Sequence, residues 1–207
     1  MSDSLDQVAT EIAGCTKCAL HAGRTKTVPG AGSPNAEIMF IGEGPGFHED
    51  QSGLPFVGRA GDFLNELLGT IGLAREDVFI ANVVKCRPPQ NRDPKPKEIE
   101  ACSDYLQRQI DLINPKIIVT LGRFSMARWF PNAKISEIHG TPYRFGDRLV
   151  VPFYHPVAAL RRASLQGDVR ADFNTLPGLI EKVAQGDFTG MPVGAIGDEP
   201  PQQLSLF

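Results

Sequence analysis

Hydrophobic and polar positions follow two periods along this chain. Continuous apolar runs at EIMFI (37–41), VFIANVV (78–84), KIIVTLG (116–122) and RLVVPFY (148–154) each predict a strand buried on both faces. Between them the apolar positions fall at helical spacing. Leu5, Val8 and Ile12 predict a helix over 5–13, ending near Gly14. Phe63, Leu64, Leu67, Leu68 and Ile71 mark a second helix, and Ile99, Cys102, Leu106, Ile110 and Ile113 a third that closes at Asn114-Pro115. RFSMARWF (123–130) predicts a further helix, and Val169, Phe173, Leu176, Ile180 and Val183 another near 168–185, with Pro177 as a potential kink. Residues 19–36 and the proline-rich basic RPPQNRDPKPKE (87–98) read as loops, and 131–147 as an irregular segment or a hairpin.

Strands alternating with helices predict an α/β domain whose parallel sheet is covered on both faces. Ligands of such sheets bind beyond the strand carboxyl ends. Those ends carry Gly42–Gly46, Asn82–Cys86, Gly122 and His155-Pro156. The first opens a loop of about 20 residues, GEGPGFHEDQSGLPFVGRAG (42–61), far longer than a strand-to-helix link requires. Its glycines allow close backbone approach to a ligand, and it carries the acids Glu43, Glu49 and Asp50. The pattern predicts one domain over 1–187 and a Gly/Pro-rich flexible tail over 188–207.

Composition narrows the class. With 42% hydrophobic and 22% charged residues in 207, the chain has the balance of a soluble globular protein. It shows no basic-then-apolar leader and no membrane-length apolar run, so a cytoplasmic location is expected. A net charge of −3 gives no global case for nucleic-acid binding, although a local patch would suffice. Lys85, Arg87, Arg92, Lys95, Lys97, Arg161, Arg162 and Arg170 are its candidates.

Four cysteines, Cys15, Cys18, Cys86 and Cys102, stand as C-x2-C, a long gap, then C-x15-C. In a cytoplasmic chain this number suits a tetrahedral zinc or an iron–sulfur cluster better than disulfides, and spacing alone does not choose between them. Either would be structural, pinning the N-terminal segment to residues 85–102.

Cys15-x2-Cys18, GEGPGxxED followed by GLPFVGRAG, NVVKCRPPQNRDP, Cys102 and HPVAAL, in that order over about residues 5–185, together resemble the family 4 uracil-DNA glycosylases. The resemblance implies a three-layer α/β/α fold with a central four-stranded parallel sheet and a [4Fe–4S] cluster on all four cysteines. It also implies hydrolysis of the N-glycosidic bond of uracil flipped out of single- or double-stranded DNA. In that role Phe56 stacks on the base and Glu43 and Gly44 line the pocket. Asn82 donates to uracil O4 and accepts from N3–H, a pattern that cytosine reverses. His155 donates to O2 as charge develops there. Gly44 stands where family 1 enzymes carry a water-positioning aspartate, which leaves Glu49 as the expected water-handling residue and Asp50 as second choice. Leu160 is the expected minor-groove wedge, with Arg161 and Arg162 near phosphates. The region 83–102 lacks the histidine with which one branch of the superfamily traps uracil-DNA, so turnover is expected.

The terminal Gln203-Leu204-Ser205-Leu206-Phe207 resembles the peptide by which bacterial repair proteins dock on the β sliding clamp. A monomer is expected. Two competing readings are a DNA-binding iron–sulfur protein without turnover and a Rossmann nucleotide binder. GEGPG does not supply GxGxxG at the strand–helix turn, which opposes the second.

Overall fold

The computed structural model describes residues 3–194. The expected clamp-docking residues Gln203, Leu204, Leu206 and Phe207 lie outside them. A six-stranded sheet runs through the centre in the order β1-β3-β2-β4-β6-β5. Its core is the expected parallel set, β3 (Phe79–Asn82), β2 (Ile38–Gly42), β4 (Ile117–Leu121) and β6 (Arg148–Phe153). Two short antiparallel edge strands raise the count from four to six: β1 (Ala31–Gly32) on β3, and β5 (Tyr143–Phe145) in a hairpin with β6. β1 has only Ala and Gly, too short and too bland to leave a period in the sequence.

The alternation within each strand divides the core in two. Ile38, Phe40, Val119, Val151 and Phe153 face one side. They meet α3 (Arg59–Thr70), α8 (Gln166–Asn174) and α9 (Leu176–Ala184) through Leu64, Leu67, Phe173 and Leu179. Met39, Ile41, Ile118 and Val150 face the other, against Leu106 and Ile110 of α4 (Pro96–Ile113). This is the three-layer arrangement, and the apolar runs exist because strands buried on both faces need them. Helix α1 (Leu5–Ala13), capped by the Ser4 hydroxyl, packs Val8 and Ile12 on Tyr105 of α4. Arg108 of α4 pairs with Asp3 ahead of α1 and with Glu11 in its last turn.

Several local expectations change. The long loop contains α2 (Phe47–Ser52), closed at its start by the Glu49 carboxylate accepting from the Gly46 N–H. Helix α4 begins at Pro96, three residues before its first apolar position, because proline suits the first helical turn. The helix after β4 is a single turn, α5 (Arg123–Met126), and another turn, α6 (Ile135–Ile138), precedes the hairpin. The expected helix at 168–185 is two, α8 and α9, broken at Thr175 ahead of Pro177. Residues 188–194, assigned to a flexible tail on sequence grounds, run beside β5. There the Arg144 N–H donates to Pro192 O, the Gly194 N–H to Arg144 O, and Phe188 and Met191 pack on the core. Among the described residues no helix is long and apolar enough to cross a membrane.

Candidate active site and cysteine cavity

Chain order reverses between β2 and β4: β3 follows β2 on one side, while β4 and β6 continue on the other. A crevice beyond the carboxyl ends of these strands is the binding position of open α/β sheets. Gly42 ends β2, Asn82 ends β3, and His155 follows β6 and precedes α7 (Pro156–Arg161). The β2–β3 ladder continues past the strands through Val83 N–H to Gly42 O and Val84 N–H to Glu43 O, which fixes Asn82 against Gly42.

Asn82, Phe56 and His155 come together here. A Cβ on Gly42 would stand 2.5 Å from Asn82 Oδ1 and 2.6 Å from Phe56 Cζ, so only glycine leaves both groups in place. Asn82 is 2% exposed. Its Oδ1 has no hydrogen-bond partner and is one of two such buried side-chain atoms among the described residues, with Thr120 Oγ1. An unpartnered buried acceptor costs stability, and at a strand end facing a crevice it makes Asn82 a candidate ligand contact. The Phe56 ring stacks on the His155 imidazole at 5.5 Å between centroids and 22° between planes.

His155 Nδ1 accepts from the Val157 N–H at 3.1 Å, which places the ring proton on Nε2. Burial, reinforced by the Arg161 charge, pulls its pKa down to about 4. The ring is therefore a neutral N–H donor at physiological pH.

Phe56 has φ 51, a left-handed conformation unusual for an aromatic residue. Two neighbours hold it there. Arg75 donates from Nη1 to Phe56 O at 2.8 Å and from Nη2 to Pro55 O. Gly61 passes so close that a Cβ would stand 1.9 Å from Phe56 O. Arg75 left no signal in the sequence, being an arginine in a polar turn 19 residues from its partner.

The two acids of the loop have different occupations. Glu49 Oε1 accepts from the N–H groups of Val57 (2.9 Å) and Gly58 (3.1 Å), and Oε2 from Gly46 (3.0 Å). That carboxylate ties the start of the loop to its end. Asp50 is buried and accepts from the Thr25 N–H. Glu43, directly after β2, sits half-buried near Asp93, Arg123 and Arg161. Burial, with the Asp93 charge, raises its carboxyl to about 7. At Gly44 a Cβ would stand 2.7 Å from Val84 Cγ2, so the β2 and β3 exit loops lean together.

Of the basic candidates, Arg92 is paired with buried Glu98 and Arg170 with Glu66; Arg123, not among them, is paired with Asp93. Arg161 and Arg162 are exposed around the end of α7, and Leu160 is half-buried against the core. Lys85 is not a surface cation: it is 1% exposed, and Nζ donates to Asn82 O (2.9 Å) and Gln109 Oε1 (2.6 Å).

Cys15, Cys18, Cys86 and Cys102 line one cavity on the α1–α4 side, with Arg24, Lys85 and Tyr105 in its wall. Arg24 Nη1 donates to Cys86 Sγ at 3.3 Å and to Cys15 O at 2.7 Å, and the Lys17 N–H points to Cys15 Sγ. Burial raises the thiols of Cys86 and Cys102, the latter to about 11. Among the described residues no three His, Cys, Asp or Glu side chains converge to hold a single metal ion. Four thiols around a shared space, with N–H donors aimed at sulfur, are a donor set that fits a group larger than one ion.

Residues 29–175 match the family profile described as Uracil DNA glycosylase superfamily. Among curated proteins, the type-4 uracil-DNA glycosylase of Archaeoglobus fulgidus is 48% identical over 190 residues, covering 87% of this chain and 95% of that protein. Those of Sulfurisphaera tokodaii (49%, covering 84% of each chain) and Saccharolobus solfataricus (50%, covering 83% and 84%) are similar to the same degree.

Proposed function

This chain belongs to the uracil DNA glycosylase superfamily, and we infer from that membership that it acts as its type-4 relatives are named: it is a uracil-DNA glycosylase. It hydrolyses the N-glycosidic bond of uracil in DNA and leaves an abasic site, the opening step of base excision repair. The observation that carries this reading to particular residues is the buried, unpartnered Asn82 Oδ1 beside the Phe56–His155 stack.

In our reading the flipped base lies on Phe56, with Gly42 as the floor. The Asn82 amide accepts from uracil N3–H and donates to O4; cytosine presents the reverse pattern and leaves the buried amide unpaired. As the C1′–N1 bond breaks, its electron pair moves into the uracil ring and towards O2, where neutral His155 donates from Nε2. Water then adds at C1′ and gives up a proton. Glu49, expected to take that proton, has both carboxylate oxygens occupied by backbone N–H groups. We therefore assign proton acceptance to Glu43, whose carboxyl stands in the crevice with a pKa near the working pH. Leu160 fills the space left by the base, and Arg161 and Arg162 meet phosphates.

The four cysteines would hold a [4Fe–4S] cluster through their thiolates, and zinc is the weaker fit because the thiols do not converge on one ion. When bound, the cluster supplies a structural crosslink between α1 and the β3–α4 segment. A brown protein absorbing near roughly 400 nm is the expected result. The terminal QLSLF peptide would dock a cytoplasmic monomer on the sliding clamp, and unchanged clamp capture after deleting residues 203–207 would refute that.

The deciding experiment measures free base released from matched oligonucleotides carrying uracil, cytosine or thymine. Release is expected from uracil alone and should disappear with Asn82→Ala. Binding without release would favour the non-catalytic DNA-binding reading.

A further inference from the structure

Phe47, the first residue of α2, is 52% exposed, a large apolar ring in open solvent five residues after Gly42. It is not a loose side chain. The Arg87 guanidinium lies over the ring at 5.1 Å from its centroid, and the His48 ring meets its edge at 5.5 Å and 80°. Arg87 is itself braced, its Nε donating to Asn91 Oδ1 at 2.7 Å. Asn91 and its neighbour Gln90 both hold φ 54, consecutive left-handed residues that fix the turn after Pro88-Pro89. Arg92, Arg123 and Arg170 spend their charge on carboxylates, whereas among the described residues Arg87 has only the neutral Asn91 and the ring. A Cβ on Gly44 would stand 2.7 Å from Val84 Cγ2 and 3.9 Å from Pro88 Cδ, so the loop that leads to Phe47 runs beside the one that carries Arg87, where the β2 and β3 exit loops meet.

A fixed, solvent-facing ring beside an uncompensated cation is the combination that holds a single-stranded nucleotide, since every base offers a π-face and every linkage a phosphate. We propose that Phe47 and Arg87 form a nucleotide platform beside the uracil crevice. Phe47 stacks on a base neighbouring the flipped uridine, and Arg87 meets a backbone phosphate of the same strand. The platform rests on the uracil-excision reading and extends it: contact on this side is sequence-tolerant and does not require a complementary strand.

The test uses full-length protein and single-stranded oligonucleotides with one uracil and 5′ and 3′ flanks lengthened one nucleotide at a time. For each, dissociation constant and single-turnover uracil release are measured. Wild type should gain affinity in a step at the flank length that reaches the platform. Phe47→Ala should remove about tenfold of that step and Phe47→Trp restore it, both with wild-type thermal melting. Arg87→Gln should lower the slope of log affinity against log salt by about 0.7, one phosphate contact on a single strand. An equal step in wild type and Phe47→Ala, with uracil still released, overturns the platform alone. No uracil release by wild type from any substrate overturns the underlying reading and the platform with it.

Discussion

The crevice and the cysteine cavity are joined by one short stretch, Asn82–Cys86, yet they treat polar atoms in opposite ways. In the crevice the backbone is over-determined while the side-chain heads are left open. Glu49 and Arg75 spend themselves on main chain, so that Asn82 Oδ1 and the Nε2 face of His155 keep free valence. In the cavity the heads themselves are engaged, Cys86 by Arg24 and Cys102 by the Lys85 N–H. The difference separates two duties. Under the proposed function, groups that meet the substrate carry little of the fold, and groups that carry the fold meet no substrate.

The largest effect should come from breaking the cavity. Cys102→Ala is expected to abolish the visible absorbance and the cooperative thermal melt, because a structural metal centre contributes folding energy on the order of 10 kcal/mol. Uracil release would vanish with the fold, and a variant that melts and cleaves normally would remove the structural role.

Next is Asn82→Ala, expected to lower single-turnover uracil release by about 10³-fold. Its melting temperature should stay level or rise slightly, since the substitution removes an unsatisfied acceptor. A large drop in melting temperature would blur the division drawn above.

Smaller still is the pH response. Glu43, raised to about 7 by burial, must be ionised to accept a proton, so release should fall about tenfold per pH unit below about 7. Glu43→Gln should flatten that limb. The raised pKa means that the folded state prefers the protonated form, an advantage present below about 4.5 and lost as pH rises through 7. Glu43→Gln should therefore melt higher than wild type at pH 8. His155, lowered to about 4, should add no limb between pH 5 and 9; the stability it contributes is present above about 6.5 and lost as pH falls towards 4.

Arg75→Met is expected to do least, raising KM about fivefold by loosening Phe56 while sparing most of kcat. Asymmetric loss of kcat would instead give Arg75 a part in the chemistry.

Much of this architecture was legible. Four two-faced strands must be apolar throughout, so β2, β3, β4 and β6 showed as runs, and their ends pointed to Asn82 and His155. What was hidden lacked a period or acted at a distance. Helix α2 is polar and six residues long, and its one signal was the Gly46-x-x-Glu49 capping spacing. Glu49 was the expected water-handling residue by family likeness and elimination, and only geometry shows its oxygens on backbone N–H groups. Lys85 looked like a phosphate contact because lysines are almost never fully buried.

That lysine also couples the docking of α4 to the end of β3. Its amine has one acceptor at the end of β3, Asn82 O, and one on the helix that carries Cys102, Gln109 Oε1. Gln109 in turn donates to Pro29 O on the loop beyond. Until α4 docks, the amine has no enclosure and the strand end has no brace. Under the proposed function, uracil release is expected to return on refolding only once α4 has docked, and release that returned before α4 became protected from hydrogen exchange would contradict it. The buried lysine thereby hands the placement of the β3 end to the helix that carries Cys102.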